Sequence, residues 1–333
     1  MIEPPRALLV ALLMLAVTGT CAAETTVTTD DPAQAEIVTS DVDHFWRAFD
    51  DAANQPLAAR VDVYTQEYFD QASQGLKDYA AARHVTAATL AAYVEQNRDY
   101  YARMRPEMGR VVAQKPVIVA AFKRLKALMP GIKFPAHVYF VVGPQKGAGM
   151  NSPNGIILAA DVFATPSGTP YSYTKVSADY VPFSVVHETI HFNQPYQTTD
   201  DSTLLQQVVS EGTADFIASL VLPEPEVRQI TDHWRYGCVH EPALAARFAG
   251  DQDKKDLGPW MFNHQPDTGW PPDMGYWIGY RIDQAYYAQA KDKIAALRAI
   301  LQVTDFKAYL KASGYPHRRE PCAPARPLMD STR

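Results

Sequence analysis

Two histidines four positions apart constrain this chain more than any other feature. They belong to the segment His187-Glu188-Thr189-Ile190-His191, an H-E-x-x-H pattern that lies between Pro182 and Pro195. Proline is tolerated in the first turn of a helix and cannot continue one, so the motif is predicted to lie mid-helix. There the two histidines share one face, a turn apart, and both ring nitrogens can reach a single metal ion.

A zinc ion needs a third protein ligand, and Glu211 is the best candidate in the sequence. Its segment has the apolar pattern of a buried helix, and residues 195–201 can reverse the chain before it. Gly212 beside it would allow a close approach between helices. Asp215 faces the same way and is placed to accept the second N–H of a ligand histidine, with His187 preferred. The alternative is that Asp215 is a solvated helix charge.

Glu188 is rotated away from the line of the two histidines, toward the position of a metal-bound water. A carboxylate at that position can take the proton of the water as a general base. The alternative is a surface helix with a fortuitous pattern. The apolar residues on both sides of the motif and the two acids downstream count against it.

These five residues resemble the metal site of the gluzincins, the thermolysin-like metallopeptidases. The chain also resembles exported bacterial proteins named as zinc-dependent proteases of a domain family of unknown function, and it is similar to gliding-motility lipoproteins. Outside the metal motif the likeness rests on Tyr68-x-x-x-x-Ser73-x-Gly75-Leu76, Gly275-Tyr276-Trp277-Ile278-Gly279-Tyr280 and Ser313-Gly314-Tyr315.

An oxyanion that develops during hydrolysis needs a hydrogen-bond donor besides the metal. The gluzincin resemblance implies that this donor comes from downstream of the ligands. Tyr276 is the first choice, with Tyr280 and Arg281 as alternatives. All three lie in one helix-like run, so a purely structural aromatic helix remains an open interpretation of each.

The fold class predicted from the sequence is α+β and mostly helical. Residues 40–130 form a helical N-terminal region, 131–320 a zincin-like catalytic domain with a small sheet and the H-E-x-x-H helix, and 321–333 a tail. The β-branched and aromatic segments 137–142 and 156–159 predict the strands. The second is either an edge strand on which a peptide lies or a plain structural strand. Helices are predicted at 61–74, 87–104, 117–129, 182–194, 202–221, 275–289, 290–301 and 305–311.

The N-terminus has the pattern of a secretory signal, residues 1–23. Arg6 precedes an apolar run of eleven residues that is too short to span a bilayer, and small residues continue to Ala23. Cleavage near Ala23 is preferred over a lipid anchor at Cys21, because Thr18-Gly19-Thr20 is a poor context for lipidation. An uncleaved membrane anchor is the remaining alternative. Residues 24–39 lack periodicity and are predicted to be a flexible lead-in.

Cleavage of that signal would leave two cysteines, Cys238 and Cys322. They can form a disulfide in an oxidising compartment or stay as separate thiols.

The net charge of −6, without a basic block, argues against a nucleic-acid partner. The sequence therefore predicts an exported zinc-dependent peptidase, periplasmic or extracellular, without a transmembrane span in the mature chain. It would hydrolyse a peptide or protein substrate with a metal-bound water activated by Glu188. One alternative is a cell-envelope binding or assembly protein that has a zinc site and little peptidase activity. The other is a zinc hydrolase of a non-peptide amide or ester.

Overall fold

Helices make up most of the fold, and a small mixed sheet lies among them. The computed structural model describes residues 27–166, 169, 176–223, 228–262, 269–317 and 321–327. The strands are β1 (Thr28–Thr29), β2 (Glu36–Val38), β3 (Phe134–Pro135), β4 (His137–Val141), β5 (Gly149–Ser152) and β6 (Gly155–Ala159). The helices are α1 (Ser40–Ala52), α2 (Leu57–Tyr64), α3 (Gln74–Arg83), α4 (Ala87–Gln96), α5 (Arg98–Val112), α6 (Lys115–Leu128), α7 (Ala160–Phe163), α8 (Val181–Asn193), α9 (Leu204–Val221), α10 (Arg228–Asp251), α11 (Met274–Gln289), α12 (Lys293–Leu301) and α13 (Phe306–Ser313). The predicted α+β, mostly helical class is confirmed.

The predicted signal segment 1–23, with Cys21 and the cleavage position near Ala23, lies outside the described residues. In the part of the chain that is described, no helix is both long enough and apolar enough to cross a membrane.

The four-stranded sheet has the order β2-β4-β6-β5. Its first three strands are parallel, and β5 pairs antiparallel with β6. All of β6 is buried, with α8 packed against β5 and β6 and α3 packed against β4 and β6. The idea that 156–159 forms an edge strand is therefore wrong. A turn at Pro153 and Asn154 folds β5 back along β6, and β5 takes the edge.

The flexible lead-in predicted for 24–39 is also wrong where the structure describes it. β1 pairs with β3, and β2 adds to the sheet in parallel register with β4, Glu36 opposite His137. Ile37 and Val38 are half-buried against the core, which accounts for the order of this segment. The threonine- and acid-rich composition concealed these short β-branched runs.

The N-terminal helices are shorter than the periodicity predicts. The predicted helix 61–74 is α2 followed by a π-helical turn at Thr65–Phe69, and Ser73 then caps α3 by accepting a hydrogen bond from Leu76 N. The predicted helix 87–104 divides at Asn97 into α4 and α5. Ser73 caps the helix after the first break, and the Asn97 side chain donates to Tyr93 O at 2.8 Å at the second. An apolar pattern that continues across these positions does not reveal either break.

Three tyrosines of these helices hold the backbone segment 142–146, which follows β4 and is called the 142–146 loop below. The Tyr68 hydroxyl donates to Val142 O at 2.7 Å and accepts from Val142 N at 2.9 Å. The Tyr101 hydroxyl donates to Gly143 O at 2.5 Å, and that of Tyr79 to Lys146 O at 3.2 Å. The loop leads into β5, so the N-terminal helices determine where the edge strand begins.

One hydrophobic core joins the predicted regions 40–130 and 131–320, because apolar residues of both pack in a single cluster. The C-terminal segment is tied to this body by a disulfide between Cys238 of α10 and Cys322, whose Cα atoms are 5.6 Å apart. The described part of the predicted tail is further held by the Tyr280 hydroxyl, which accepts from Ala325 N at 2.7 Å.

Candidate metal centre

α8 presents the H-E-x-x-H motif from a helix that is apolar on its other sides. Pro182 lies in the first turn, and Gln194, in an extended conformation, ends the helix. Val185, Val186 and Ile190 are fully buried. Because this apolar surface fixes the rotation of α8, the two histidines point toward α9, which packs against it.

Three ligand atoms converge between α8 and α9. His187 Nε2 lies 3.1 Å from Glu211 Oε2, and His191 Nε2 lies 3.0 Å from His187 Nε2 and 3.4 Å from Glu211 Oε2. In a tetrahedral zinc site with bonds of about 2.0–2.1 Å, the ligand atoms are roughly 3.3–3.4 Å apart. The spacing of these three atoms therefore suits a zinc ion. Among the described residues, these three form the group of acids and histidines that could hold a metal.

The far side of each imidazole is held by an acceptor. His187 Nδ1 donates to Asp215 Oδ1 at 2.7 Å, and His191 Nδ1 donates to Gln194 Oε1 at 2.8 Å. The Gln194 amide is oriented in turn, since its Nε2 donates to Ser210 O at 2.9 Å and its Oε1 accepts from Ser210 Oγ at 3.0 Å.

This arrangement places the proton of each neutral imidazole on Nδ1 and leaves both Nε2 atoms with a lone pair. Two lone pairs and a carboxylate then face one another at about the separation of a hydrogen bond. Such a cluster attracts a positive charge, either a proton that the histidines take up or a metal ion, and nitrogen and oxygen donors of this kind suit zinc.

The surroundings of Glu211 and Glu188 shift the pKa values of the two carboxyl groups in opposite directions. Burial tends to raise the pKa of Glu211, but His191 and His187 outweigh it and hold that pKa well below its ordinary value. Burial raises the pKa of Glu188, and the charges that His191 and His187 carry when protonated, together with that of Arg83, oppose the shift only in part. Glu211 therefore stays ionised, as a ligand must, while Glu188 gains affinity for a proton, as a general base requires.

β5 lies directly beside Glu188. A Cβ atom on Gly149 would be 2.7 Å from Glu188 Oε1, so a side chain at this position would have to displace the carboxylate. Asn151 Nδ2 donates to Glu188 O at 3.3 Å. The edge strand thus runs alongside the candidate base.

The three oxyanion-donor candidates lie in very different surroundings. The Tyr276 ring stacks on that of His187, with centroids 6.3 Å apart and planes 24° apart. The Tyr280 hydroxyl instead lies 2.8 Å from Ser219 Oγ. The Arg281 guanidinium pairs with Glu241 at 2.9 Å. Of the three, Tyr276 is the one placed beside a candidate ligand.

Burial raises the pKa of Tyr276 well above its ordinary value, so its hydroxyl keeps its proton and can donate it in a hydrogen bond.

The cluster opens into a pocket of about 450 Å³. His191 and Glu211 form one wall, Asn151 and Ser152 of β5 form another, and Tyr196 lies between α8 and α9. A ligand in this pocket would touch the edge strand and the metal ligands together.

Sequence reasoning missed Gln194 and Gly149. Gln194 lies three positions after His191, a spacing at which helical side chains meet, and that spacing could have indicated it. Gly149 has no comparable local signal, because only the fold brings β5 against α8.

Comparison with known protein families gives two matches to parts of the chain. Residues 25–233 match the family model described as Gliding motility protein GldB. The chain belongs to the GldB family. Residues 168–304 match a second model, described as Predicted Zn-dependent protease (DUF2268), and this segment contains both candidate ligand helices. Searches of curated proteins and of solved structures gave no match. The resemblance to both families is confirmed, whereas neither match identifies the chain as a gluzincin.

Proposed function

We propose that this chain is a zinc-dependent peptidase with a gluzincin-type site. The observation that carries the proposal is the convergence of His187 Nε2, His191 Nε2 and Glu211 Oε2 within 3.0–3.4 Å, beside Glu188. These three residues would hold a zinc ion, which activates water and polarises a carbonyl group. The match to a family named for predicted zinc-dependent proteolysis supports the same reaction class.

The other residues of the site have distinct roles in this proposal. Glu188 accepts a proton from the attacking water and returns it to the leaving nitrogen. Tyr276 donates a hydrogen bond to the oxyanion that forms on the former carbonyl oxygen. β5, as the edge strand, offers unpaired backbone groups to an extended peptide in the adjoining pocket. Asp215 and Gln194 keep the two imidazoles in the ligating tautomer.

The proposed location is the cell envelope or the exterior. The relation to a gliding motility protein supports it. The disulfide between Cys238 and Cys322 supports it independently, because such bonds persist in oxidising compartments. Peptide sequencing of the secreted or membrane-associated chain would locate the N-terminus and test cleavage near Ala23.

The peptidase proposal is tested with Glu188→Gln, which removes the base and no ligand. Zinc-loaded wild type should cleave members of a broad peptide library. The variant should bind about one zinc per chain and turn over about 10²–10⁴-fold more slowly. Elemental analysis and mass spectrometry of the digests provide the two readouts. Glu36→Gln, an exposed substitution outside the site, should cleave like wild type. Full cleavage by Glu188→Gln would refute the assigned role.

A second candidate is an envelope assembly protein whose zinc site is structural, which the GldB relation favours. Structural zinc sites use four protein ligands, whereas the described cluster has three and borders a pocket. That difference favours catalysis. Zinc binding without cleavage of any peptide, amide or ester would favour the assembly protein. Cleavage of esters or non-peptide amides alone would indicate a different zinc hydrolase.

A further inference from the structure

Arg83, the last residue of α3, has a guanidinium for which the described residues provide no hydrogen-bond acceptor. Its Nε atom is buried and has no hydrogen-bond partner. Its guanidinium packs over Gly147, where a Cβ atom would lie 2.8 Å from Nη2 and 3.0 Å from Cζ. Within the described residues, no ion pair or hydrogen bond of its guanidinium is present.

This guanidinium lies close to the candidate active site. Gly147 precedes Gly149 by two residues, and the Cβ position of Gly149 is 2.7 Å from Glu188 Oε1. The stretch 147–149 therefore contacts Arg83 at one end and the base at the other. The charge of Arg83 also acts on Glu188, although the two do not form an ion pair.

Two other arginines have a structural role, because their guanidinium groups form hydrogen bonds within the fold. Arg281, which is buried, bonds Glu241, Gln284 and Pro321 O. Arg105 makes two parallel hydrogen bonds to Asp50, at 2.7 and 2.9 Å. A buried N–H without a partner is unfavourable, and a planar guanidinium matches a carboxylate with two such bonds. Arg83 has the same donor groups, and no acceptor for them is present in the part of the chain that the structure describes.

We propose that Arg83 binds a carboxylate of the substrate beside the scissile bond and is a specificity-determining residue. The carboxylate belongs either to the C-terminus of a peptide or to an acidic side chain. This proposal rests on the peptidase function and names its substrate class: peptides with a negative charge close to the cleaved bond. The competing explanation is that Arg83 only complements the C-terminal end of the α3 dipole.

The test measures binding separately from hydrolysis. Isothermal titration calorimetry on zinc-loaded Glu188→Gln protein compares matched peptides: free C-terminus against C-terminal amide, and Glu against Gln side chain. In at least one of these two pairs, the peptide that carries the carboxylate should bind about tenfold more tightly than its neutral partner. Adding Arg83→Met should abolish that preference. Adding Arg83→Lys should reduce it, because an ammonium group cannot form the two parallel bonds.

Lys77→Met is the matched control, since it removes one positive charge from an exposed position on the same helix. It should leave the acid preference unchanged. Equal binding of acid and neutral peptides overturns the proposal, and so does a preference that survives Arg83→Met. If Arg83→Met does not fold, an undiminished preference in Arg83→Lys overturns it instead.

The outcomes also separate this proposal from the peptidase function. Cleavage that needs Glu188 but shows no acid preference rejects Arg83 alone. Acid-selective binding that is lost with Arg83→Met, in a protein whose wild type cleaves no peptide, supports Arg83 and rejects the peptidase.

Discussion

The position of Glu188 depends on a glycine from another element. A Cβ atom on Gly149 would lie 2.7 Å from Glu188 Oε1 and 3.2 Å from Leu158 Cδ2. A methyl group there must displace the carboxylate, since the backbone of β5 is paired with β6. The carboxylate of Glu188, the candidate base, is therefore positioned by the shape of β5 as well as by its own helix.

Gly149→Ala should consequently lower peptide cleavage by about a hundredfold, the effect of a misplacement of about 1 Å at a catalytic group. Zinc content should not change, because the atoms nearest the Gly149 Cβ position belong to Glu188 and Leu158 and not to a candidate ligand. Steady-state kinetics and elemental analysis measure the two quantities. Gly109→Ala is the control, since no described atom beyond its own stretch of helix backbone lies within 4 Å of its Cβ position. Unchanged kinetics in Gly149→Ala would show that Glu188 has room to move.

For individual residues, the sequence predicts relative positions where both residues lie on one helix. His187 and His191 lie a turn apart because they are i and i+4, and the structure brings Glu211 and Asp215 to them. Arg83 was not predicted, because it comes from an N-terminal helix about a hundred positions from the motif. Only the packing of α3 on the sheet reveals it.

Two helices meet at their backbones beside Glu211, the third candidate ligand. A Cβ on Gly212 of α9 would overlap the Gly279 backbone of α11, and a Cβ on Gly279 would overlap Val208 O. The sequence predicted a close approach at Gly212 but did not identify α11 as the partner. This contact holds Glu211 and Tyr276, which lie on the two helices, in a fixed relation.

Gly279→Ala should force α9 and α11 apart and destabilise the fold by about 1–3 kcal/mol or more. Zinc affinity should fall with it, because Glu211 moves. Urea unfolding and competition with a zinc chelator give the two values. Gly250→Ala, at a helical position where no described atom beyond its own stretch of helix backbone lies within 4 Å of the Cβ position, should leave both nearly unchanged. A stable Gly279→Ala protein with normal zinc affinity would contradict the packing described.

Asp283 links three helices and makes their packing depend on pH. It accepts from Thr213 Oγ1 of α9 at 2.6 Å and from the Tyr309 hydroxyl of α13 at 2.5 Å. Burial raises its pKa from 3.8 to about 7. The folded state thus binds a proton more tightly than the unfolded chain does, so this stabilisation is complete below pH 3.8 and is lost as pH rises through 7.

Asp283→Asn keeps a neutral side chain at every pH and should remove this dependence. Between pH 4 and 7 the unfolding free energy of wild type should fall relative to the variant, by roughly 1.4 kcal/mol per pH unit. Denaturant unfolding across this pH range measures the difference. Parallel curves for the two proteins would show that Asp283 does not titrate in this way.

Among the elements, those with strong apolar periodicity were the predictable ones. α8, α9 and α11 begin and end within two residues of the prediction. α10 was missed because Pro242 interrupts its pattern. β5 was missed because Gly-Met-Asn-Ser has neither alternation nor β-branched residues, and its hairpin partner supplies its order.

The whole molecule is built so that distant parts of the chain meet at one site. The N-terminal helices contribute the tyrosines that hold the 142–146 loop, and α11 contributes Tyr276. A division at residue 130 would cut the core that supports this site. Local sequence patterns do not reveal contacts between distant parts of the chain. The division predicted at residue 130 therefore gave no sign that the N-terminal helices support the site.

The disulfide closes a loop of 84 residues between α10 and the C-terminal segment. Its loss should destabilise the protein by about 2–5 kcal/mol, chiefly by freeing the unfolded chain. Urea unfolding with and without reductant measures the change. The double variant Cys238→Ser/Cys322→Ser should be equally destabilised and insensitive to reductant. No effect of reductant on wild type would indicate that the bond contributes nothing to stability.

The hydrogen bonds that Asp215 and Gln194 make to the two imidazoles have a consequence for how the proposed metal site could be altered. Each acceptor lies behind its ring and orients it toward the other candidate ligands. The affinity of the proposed site for its ion then depends partly on two side chains that do not touch the ion. A change at either of them would retune the site while its three candidate ligands stay intact.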